Sequence, residues 1–337
     1  MNTLHYAGFQ PEAQGFGWAT CNRYLRGALG HHFTLTDGAA DVVFMPLVDH
    51  SFNPASGARG EVNLAYTFFE SPLEPAAVAN AKKYDTVFCG SSWCLDRMWE
   101  RGIHNAKVLI QGVDHSVFKP GPRKADGKFR VFSGGKFEWR KGQDLVIRAF
   151  AQFAKKHPDA HLVCAWHNPW FGLTVEALHR SGLAIPAQNF SSQEEAFAAI
   201  LEANGIPRHQ FTVLPQLAHE QLAAEMQNTD YGLFPNRCEG GTNLVLMEYA
   251  ACGKRVAANL KTGHRDIAEA VSVLINAKED ENRWAVSTPE DVLSALEIAY
   301  TSRWRGDFTG PQWTWEAAAF TVANEVARIN VERYRPA

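Results

Sequence analysis

Three short stretches carry residue types whose spacing suits chemistry on an anion. In "SGGKFEWRKGQDLVIRAF", Ser133 to Phe150, an apolar run delivers Gly134 and Gly135, and Lys136, Arg140 and Lys141 arrive within six residues before Gly142 opens a helical pattern. Glycines let backbone approach an anion closely, a helix start favours negative charge, and two lysines on one loop can neutralise a diphosphate. A solvated basic turn is the plainer reading of the same residues. In "CEGGTNLVLMEYAACGK", Cys238 to Lys254, Gly240 and Gly241 permit a tight loop, Thr242 or Asn243 can cap a helix, and Glu248 is the one charge in the apolar run from Leu244 to Cys252. Burying an unpaired carboxylate costs several kcal/mol, so Glu248 needs a partner. An ionised carboxylate accepts two hydrogen bonds side by side, which suits the vicinal diol of a ribose; an ion pair with a nearby Arg or Lys is the structural alternative. The third stretch, "GFQPEAQGFGWATCNRYL", places Gly15 and Gly17 between a short strand and a helix, with Thr20 where a dinucleotide fingerprint has its third glycine. It is a fragment of that motif, suited to a second phosphate contact.

Elements must hold these loops in place. Short apolar runs bounded by turn residues alternate with amphipathic stretches along the chain, the pattern of parallel sheets covered by helices. Strands are predicted at Asp41 to Leu47, Val62 to Phe68, Thr86 to Cys89 and Lys107 to Gln111, with helices at Pro75 to Lys83 and Ser92 to Arg101. After the Pro- and Gly-containing break "FKPGPRKADGK", the pattern restarts: strands at Phe129 to Ser133, Ala160 to Trp166, Phe211 to Leu214 and Tyr231 to Phe234, and helices at Gln143 to Lys156 and Glu220 to Asn228. A long helix is predicted from Trp313 to Arg333. The expected fold class is therefore α/β, two Rossmann-like doubly wound parallel-sheet domains facing a cleft. The expected boundaries are 1–122 for the first domain, 123–310 for the second and 311–337 for a helix packing back across the domains.

Composition narrows the function classes. The 337 residues suffice for two domains, and 33 Lys and Arg against 36 Asp and Glu give a formal charge of −3, which offers no general attraction to nucleic acid. The six cysteines form no C-x-x-C pair, and the thirteen histidines show no H-E-x-x-H spacing, so buried thiols in a reduced compartment and no metal site are expected. No secretory pattern opens the chain and no apolar stretch nears the ~20 residues that span a bilayer. The expectation is a cytoplasmic protein, at most lying against the inner face of a membrane.

The three stretches in this order resemble the GT-B glycosyltransferases, and among them retaining glycosyltransferase family 4. That family's G-R-L-x-x-x-K-G loop is matched by Gly135, Lys136, Phe137, Lys141 and Gly142; its E-x(7)-E helix and A-C-G by "CEGGTNLVLMEYAACGK"; and its crossover between domains by "VLIQGVDHSVFKP". The resemblance implies a nucleoside-diphosphate-sugar donor as substrate, no cofactor, no metal and retention of anomeric configuration. It implies Lys136, Lys141 and Glu239 as the catalytic set, and Gly15, Gly17, Gly135, Gly240, Gly241, Thr242, Asn243 and Glu248 around the donor, with Glu248 on the ribose. The chain departs from the pattern in three places. Glu239 stands one residue before the family's first Glu, which falls on Gly240; Lys136 replaces an Arg and so loses the bidentate fork; and "YTFFESP" has Phe69 and Glu70 where many relatives place a His. Glu70 and Asp114 are the remaining acceptor-side candidates, with ordinary structural acids as the alternative. The acceptor is left open among a glycan, a lipid-linked sugar, a small molecule and a protein, as is the oligomeric state. The Trp-rich stretches "AWHNPWFG" and "QWTWEAAAF" suit packing or sugar stacking. A nucleotide-sugar binding protein without transfer, or an epimerase on the same fold, are the rival functions.

Overall fold

The computed structural model describes residues 2–8, 17–123, 126–302, 308 and 310–333. It divides into two compact units: unit 1 holds Met1–Asp114, Gly240–Leu244 and Trp313–Ala337, and unit 2 holds His115–Glu239 and Val245–Gln312.

Unit 1 is built on six strands, β1 (Thr3–Tyr6), β2 (Thr34–Thr36), β3 (Val42–Pro46), β4 (Val62–Thr67), β5 (Thr86–Cys89) and β6 (Ala106–Val108), in the order β2-β1-β3-β4-β5-β6. Every pairing is parallel. All five residues of β3 and all four of β5 are buried, as strands covered on both faces must be, and this is why they read as continuous apolar runs. Helices α1 (Gly17–Leu29), α2 (Ala76–Ala81) and α3 (Ser92–Glu100) connect them, α3 opening on Ser91, whose hydroxyl accepts from Cys94 N at 3.2 Å.

Unit 2 repeats the plan with β7 (Phe129–Gly134), β8 (Ala160–Ala165), β9 (Phe211–Val213), β10 (Tyr231–Phe234), β11 (Arg255–Ala258) and β12 (Val271–Leu274), again all parallel, in the order β12-β11-β10-β7-β8-β9. Its helices are α4 (Gln143–Lys156), α5 (Phe171–Ser181), α6 (Gln193–Ala203), α7 (His219–Gln227), α8 (Leu244–Ala251) and α9 (Pro289–Ser302). The core gathers Val131, Leu162 and Leu233 from the strands with Val146, Phe150 and Phe153 from α4 and Val292 and Leu296 from α9.

The last helix, α10 (Trp315–Arg333), belongs to unit 1 and packs on α1. Trp315 stacks on Tyr24 at 5.8 Å, and the buried Glu325 accepts from Thr86 Oγ1 at 2.6 Å and pairs with Lys107 and Arg328. Among the described residues no helix is long and apolar enough to cross a membrane.

Chain order reverses between β10 and β7 in unit 2, the first strand leading outward through β8 and β9 and the later ones outward the other way. Loops leaving the carboxyl ends of two such strands diverge and leave a crevice, the usual ligand position in open α/β sheets. The candidate loops after β7 and β10 both leave this point.

Candidate functional site at the switch point of unit 2

The loop after β7 turns through Gly135, whose N–H donates to Ala165 O at 3.1 Å, and ends at Gly142 with φ +73°. A Cβ on Gly142 would lie 2.4 Å from Pro235 O, so only glycine lets this loop approach the one after β10. The two loops are then fastened. Arg237 makes two 2.7 Å bonds to the Asp144 carboxylate and lies 3.5 Å above the Trp139 ring, while its N–H donates to Arg140 O at 2.7 Å. A planar guanidinium that pairs and stacks at once fixes both strands of backbone.

Charge is concentrated between the fastened loops. Lys136 Nζ is 2.7 Å from Glu138 and 4.5 Å from the Trp170 ring centre; Arg140 Nε is 2.7 Å from the other Glu138 oxygen. Arg140 Nη1 is 3.2 Å and Lys141 Nζ 2.6 Å from Glu239, and Asn236 Nδ2 donates to the same carboxylate. Burial by itself raises the Glu239 carboxyl, but the Lys141 and Arg140 charges outweigh it and hold it at about 2. Glu138 is likewise held low, burial being outweighed by Arg140 and Lys136.

The loop after β11 closes the group from a third side. Glu239 N donates to Thr262 Oγ1 at 3.1 Å, Gly263 N donates to Glu239 O at 3.0 Å, and Asn259 Nδ2 donates to Asn236 O at 2.8 Å. Thr262 has φ +49° and Asn243 φ +107°, conformations that cost a non-glycine residue about 1–3 kcal/mol and collect at functional sites. His264 is fully buried beside Glu239, and burial pushes its imidazole down to about 4, so it is neutral.

Helix α8 lies across the ends of β7 and β10: Tyr249 stacks on Phe132 at 5.0 Å, and a Cβ on Gly134 would strike Val245 at 2.8 Å. One turn from Val245 is Glu248, 7% exposed. Among the described residues no hydrogen bond or ion pair reaches its carboxylate, and burial alone pushes it up to about 8. Unlike Glu239, it meets no Arg or Lys among the described residues.

The other sequence candidates are placed as follows. Gly240, Gly241, Thr242 and Asn243 group with unit 1: Ser91 Oγ donates to Gly240 O at 2.7 Å, Thr242 Oγ1 donates to Gln111 Oε1 at 3.0 Å, and a Cβ on Gly240 would sit 2.3 Å from Phe69 O. Glu70 accepts from Gly240 N at 3.4 Å, and Asp114 lies against the Tyr24 hydroxyl. Phe69 is buried with Phe52 and Trp93. Gly17 is the first residue of α1, and Gly15 lies outside the described residues. The tryptophans divide: Trp166 and Trp315 are core, whereas Trp170 is 47% exposed beside Lys136. Glu138, Asn236, Arg237, Thr262 and His264 were not among the sequence candidates. Glu138 had a signal, an acid set between Lys136 and Arg140; His264 and Thr262 had none.

Comparisons with known proteins bear on the family and the fold. The family described as "Glycosyl transferases group 1" matches residues 115–285, just over half of the chain, and a search of curated proteins finds no match. Among solved structures the chain is similar to sucrose-phosphate synthase from Thermosynechococcus elongatus, with TM-score 0.67 and 15% identity over 98% of this chain and 99% of that one. It is similar also to Anabaena HepE in complex with UDP-glucose, TM-score 0.63 and 15% identity over 98% and 100%. A third is AviGT4, a glycosyltransferase involved in avilamycin A biosynthesis, TM-score 0.58 and 15% identity over 97% of each chain. These likenesses show the fold, two Rossmann-like domains of the GT-B type.

Proposed function

This chain belongs to the glycosyl transferases group 1 family, and from that premise we propose that unit 2 binds a nucleoside-diphosphate sugar and that the sugar is transferred, with retention of configuration, to an acceptor held by unit 1. The observation that carries the donor assignment is Glu248, a buried carboxylate without a protein partner among the described residues, on the helix that crosses the end of the cation loop. A ribose diol supplies the two donors it lacks. HepE, of the same fold, has been solved with UDP-glucose, which supports this class of donor.

In the proposed reaction the bond between the anomeric carbon and the diphosphate oxygen breaks, and the acceptor oxygen bonds to that carbon on the same face. The acceptor's proton passes to the departing diphosphate oxygen, so no enzyme nucleophile is required. Lys136 and Lys141 then act where negative charge develops. Fixed donors aimed at developing charge are a large catalytic lever, and removing one costs roughly 3 kcal/mol of barrier. Because these cations supply the neutralisation, the transfer is assigned as metal-independent. Gly135 is assigned to the donor contacts of unit 2, and Gly17 and the Gly240 to Asn243 backbone are assigned as loops of unit 1 suited to an anion. Glu70 and Asp114 remain the acceptor-side acids.

The test is a melting and calorimetric titration with UDP, GDP, ADP and CMP. A ligand at 100 times its dissociation constant stabilises the fold by about 2.7 kcal/mol. One nucleoside diphosphate is expected to give that shift, and Glu248→Ala, at the same ligand concentration, to keep only about half of it. No shift with any of them would sink the donor assignment, and donor consumption without a glycosylated product would replace transfer with binding or epimerisation.

A further inference from the structure

The cations assigned to the donor's phosphates already hold an anion. Lys141 Nζ, Arg140 Nη1 and Asn236 Nδ2 converge on the Glu239 carboxylate. An ammonium, a guanidinium and an amide serve a phosphate oxygen as well as a carboxylate oxygen, since both are charged acceptors. The main chain of Glu239 is held separately, by Thr262 Oγ1 and by Gly263 N, so its side chain can turn away while the loop stays fixed. Glu138 occupies Lys136 and the remaining side of Arg140 in the same manner. Three cations face two carboxylates, leaving one net positive charge for a ligand that brings at least two negative ones.

Three partly buried cations set side by side, with side-chain exposures of 27%, 17% and 10%, repel one another and are only partly solvated, a cost that the two buried carboxylates offset before a ligand binds. A fully bare loop would also hold the product diphosphate too long, and product release limits many enzymes.

We propose that Glu239 is an internal competitor for the donor's phosphates: it fills Lys141 and Arg140 in the empty protein, yields them to the diphosphate, and takes them back as the nucleoside diphosphate leaves. The proposal rests on the donor reading above. It makes Glu239 a determinant of phosphate affinity and not a contact of the sugar.

Inorganic pyrophosphate, UDP, GDP and ADP are titrated calorimetrically into the wild-type and Glu239→Gln proteins. Removing a charge that competes at ion-pair distance is expected to tighten pyrophosphate binding at least about tenfold and to lower the product-inhibition constant alongside. A merely structural Glu239 would give the opposite sign, so unchanged or weaker binding by a variant that still melts cooperatively overturns the proposal while leaving the donor reading intact. If neither protein binds pyrophosphate or any nucleotide, the donor reading fails and the competitor fails with it. Should Glu239→Gln not fold, a crystal structure of the wild type with pyrophosphate decides. The Glu239 carboxylate is expected beyond about 4 Å from Lys141 Nζ, outside ion-pair range; a carboxylate still on Lys141 and Arg140 beside bound pyrophosphate overturns the idea.

Discussion

The end of the β10 loop and the body of α8 each bury one glutamate, nine positions apart, and the two behave in opposite ways. Glu239 is 4% exposed and is held at about 2; Glu248 is 7% exposed and is pushed up to about 8. Burial is nearly equal, so it cannot be what separates them. Glu239 has Lys141, Arg140 and Asn236; Glu248 has no such group among the described residues. The difference teaches that a buried acid is informative through its partners, and that the acid left without one marks where a ligand's hydrogen-bond donors belong.

The comparison can be broken in several ways, starting with the largest effect. Glu248's folded value near 8 lies above its ordinary 4.5, so its carboxyl adds no pH-dependent cost below pH 4.5 and progressively destabilises the fold as pH rises toward 8. Glu248→Gln lacks that titration. Chemical denaturation of the ligand-free proteins is therefore expected to show the variant gaining on the wild type by roughly 4 kcal/mol between pH 4.5 and 8. A flat difference across that window would mean that Glu248 has found a partner in solution.

Next comes Lys141→Ala, which strips Glu239 of its closest cation. Turnover is expected to fall about 100-fold or more, and donor affinity by less, because the charge is needed most as the diphosphate departs. Steady-state kinetics separating kcat from KM measures this, and wild-type turnover in the variant would remove the cation loop from the reaction.

A smaller effect is expected for nucleotide binding. Loss of the two ribose hydrogen bonds in Glu248→Ala should weaken the nucleoside diphosphate about tenfold or somewhat more, by calorimetry, and leave inorganic pyrophosphate unchanged. If pyrophosphate weakens equally, Glu248 acts through the loop and not on the ribose. The smallest is Asn236→Ala, which removes a neutral donor from a carboxylate that keeps two cations: a loss of about 1 kcal/mol in denaturation is expected. A larger loss would show that the amide, and not the charges, anchors Glu239.

Much of the fold was legible. The spans read for β5, α4 and β10 agree end to end with the structure, because each is a run buried on both faces or a long amphipathic stretch. β11 and β12 are not legible: four residues each, with Ala257 and Ala258 in one and an exposed Leu274 ending the other, they carry too little periodicity to read. The helix at Trp313 to Arg333 was legible as a helix, starting at Trp315; that it packs on α1 was not a local property.

What the sequence determined by itself is local: parallel strands from apolar runs, glycines at turns that only glycine can make, three cations on one loop, and a lone acid in an apolar helix. Hydrophobic periodicity and backbone sterics act over a few residues, so they are written in a few residues. What only the tertiary structure decided is pairing. Lys141 and Glu239 are 98 positions apart and meet because the sheet sets β7 beside β10 and the loops leave the same edge. Nothing local to "CEGGTNLVLMEYAACGK" tells which of its two glutamates will find a cation, since that depends on which loop the sheet order brings alongside each one.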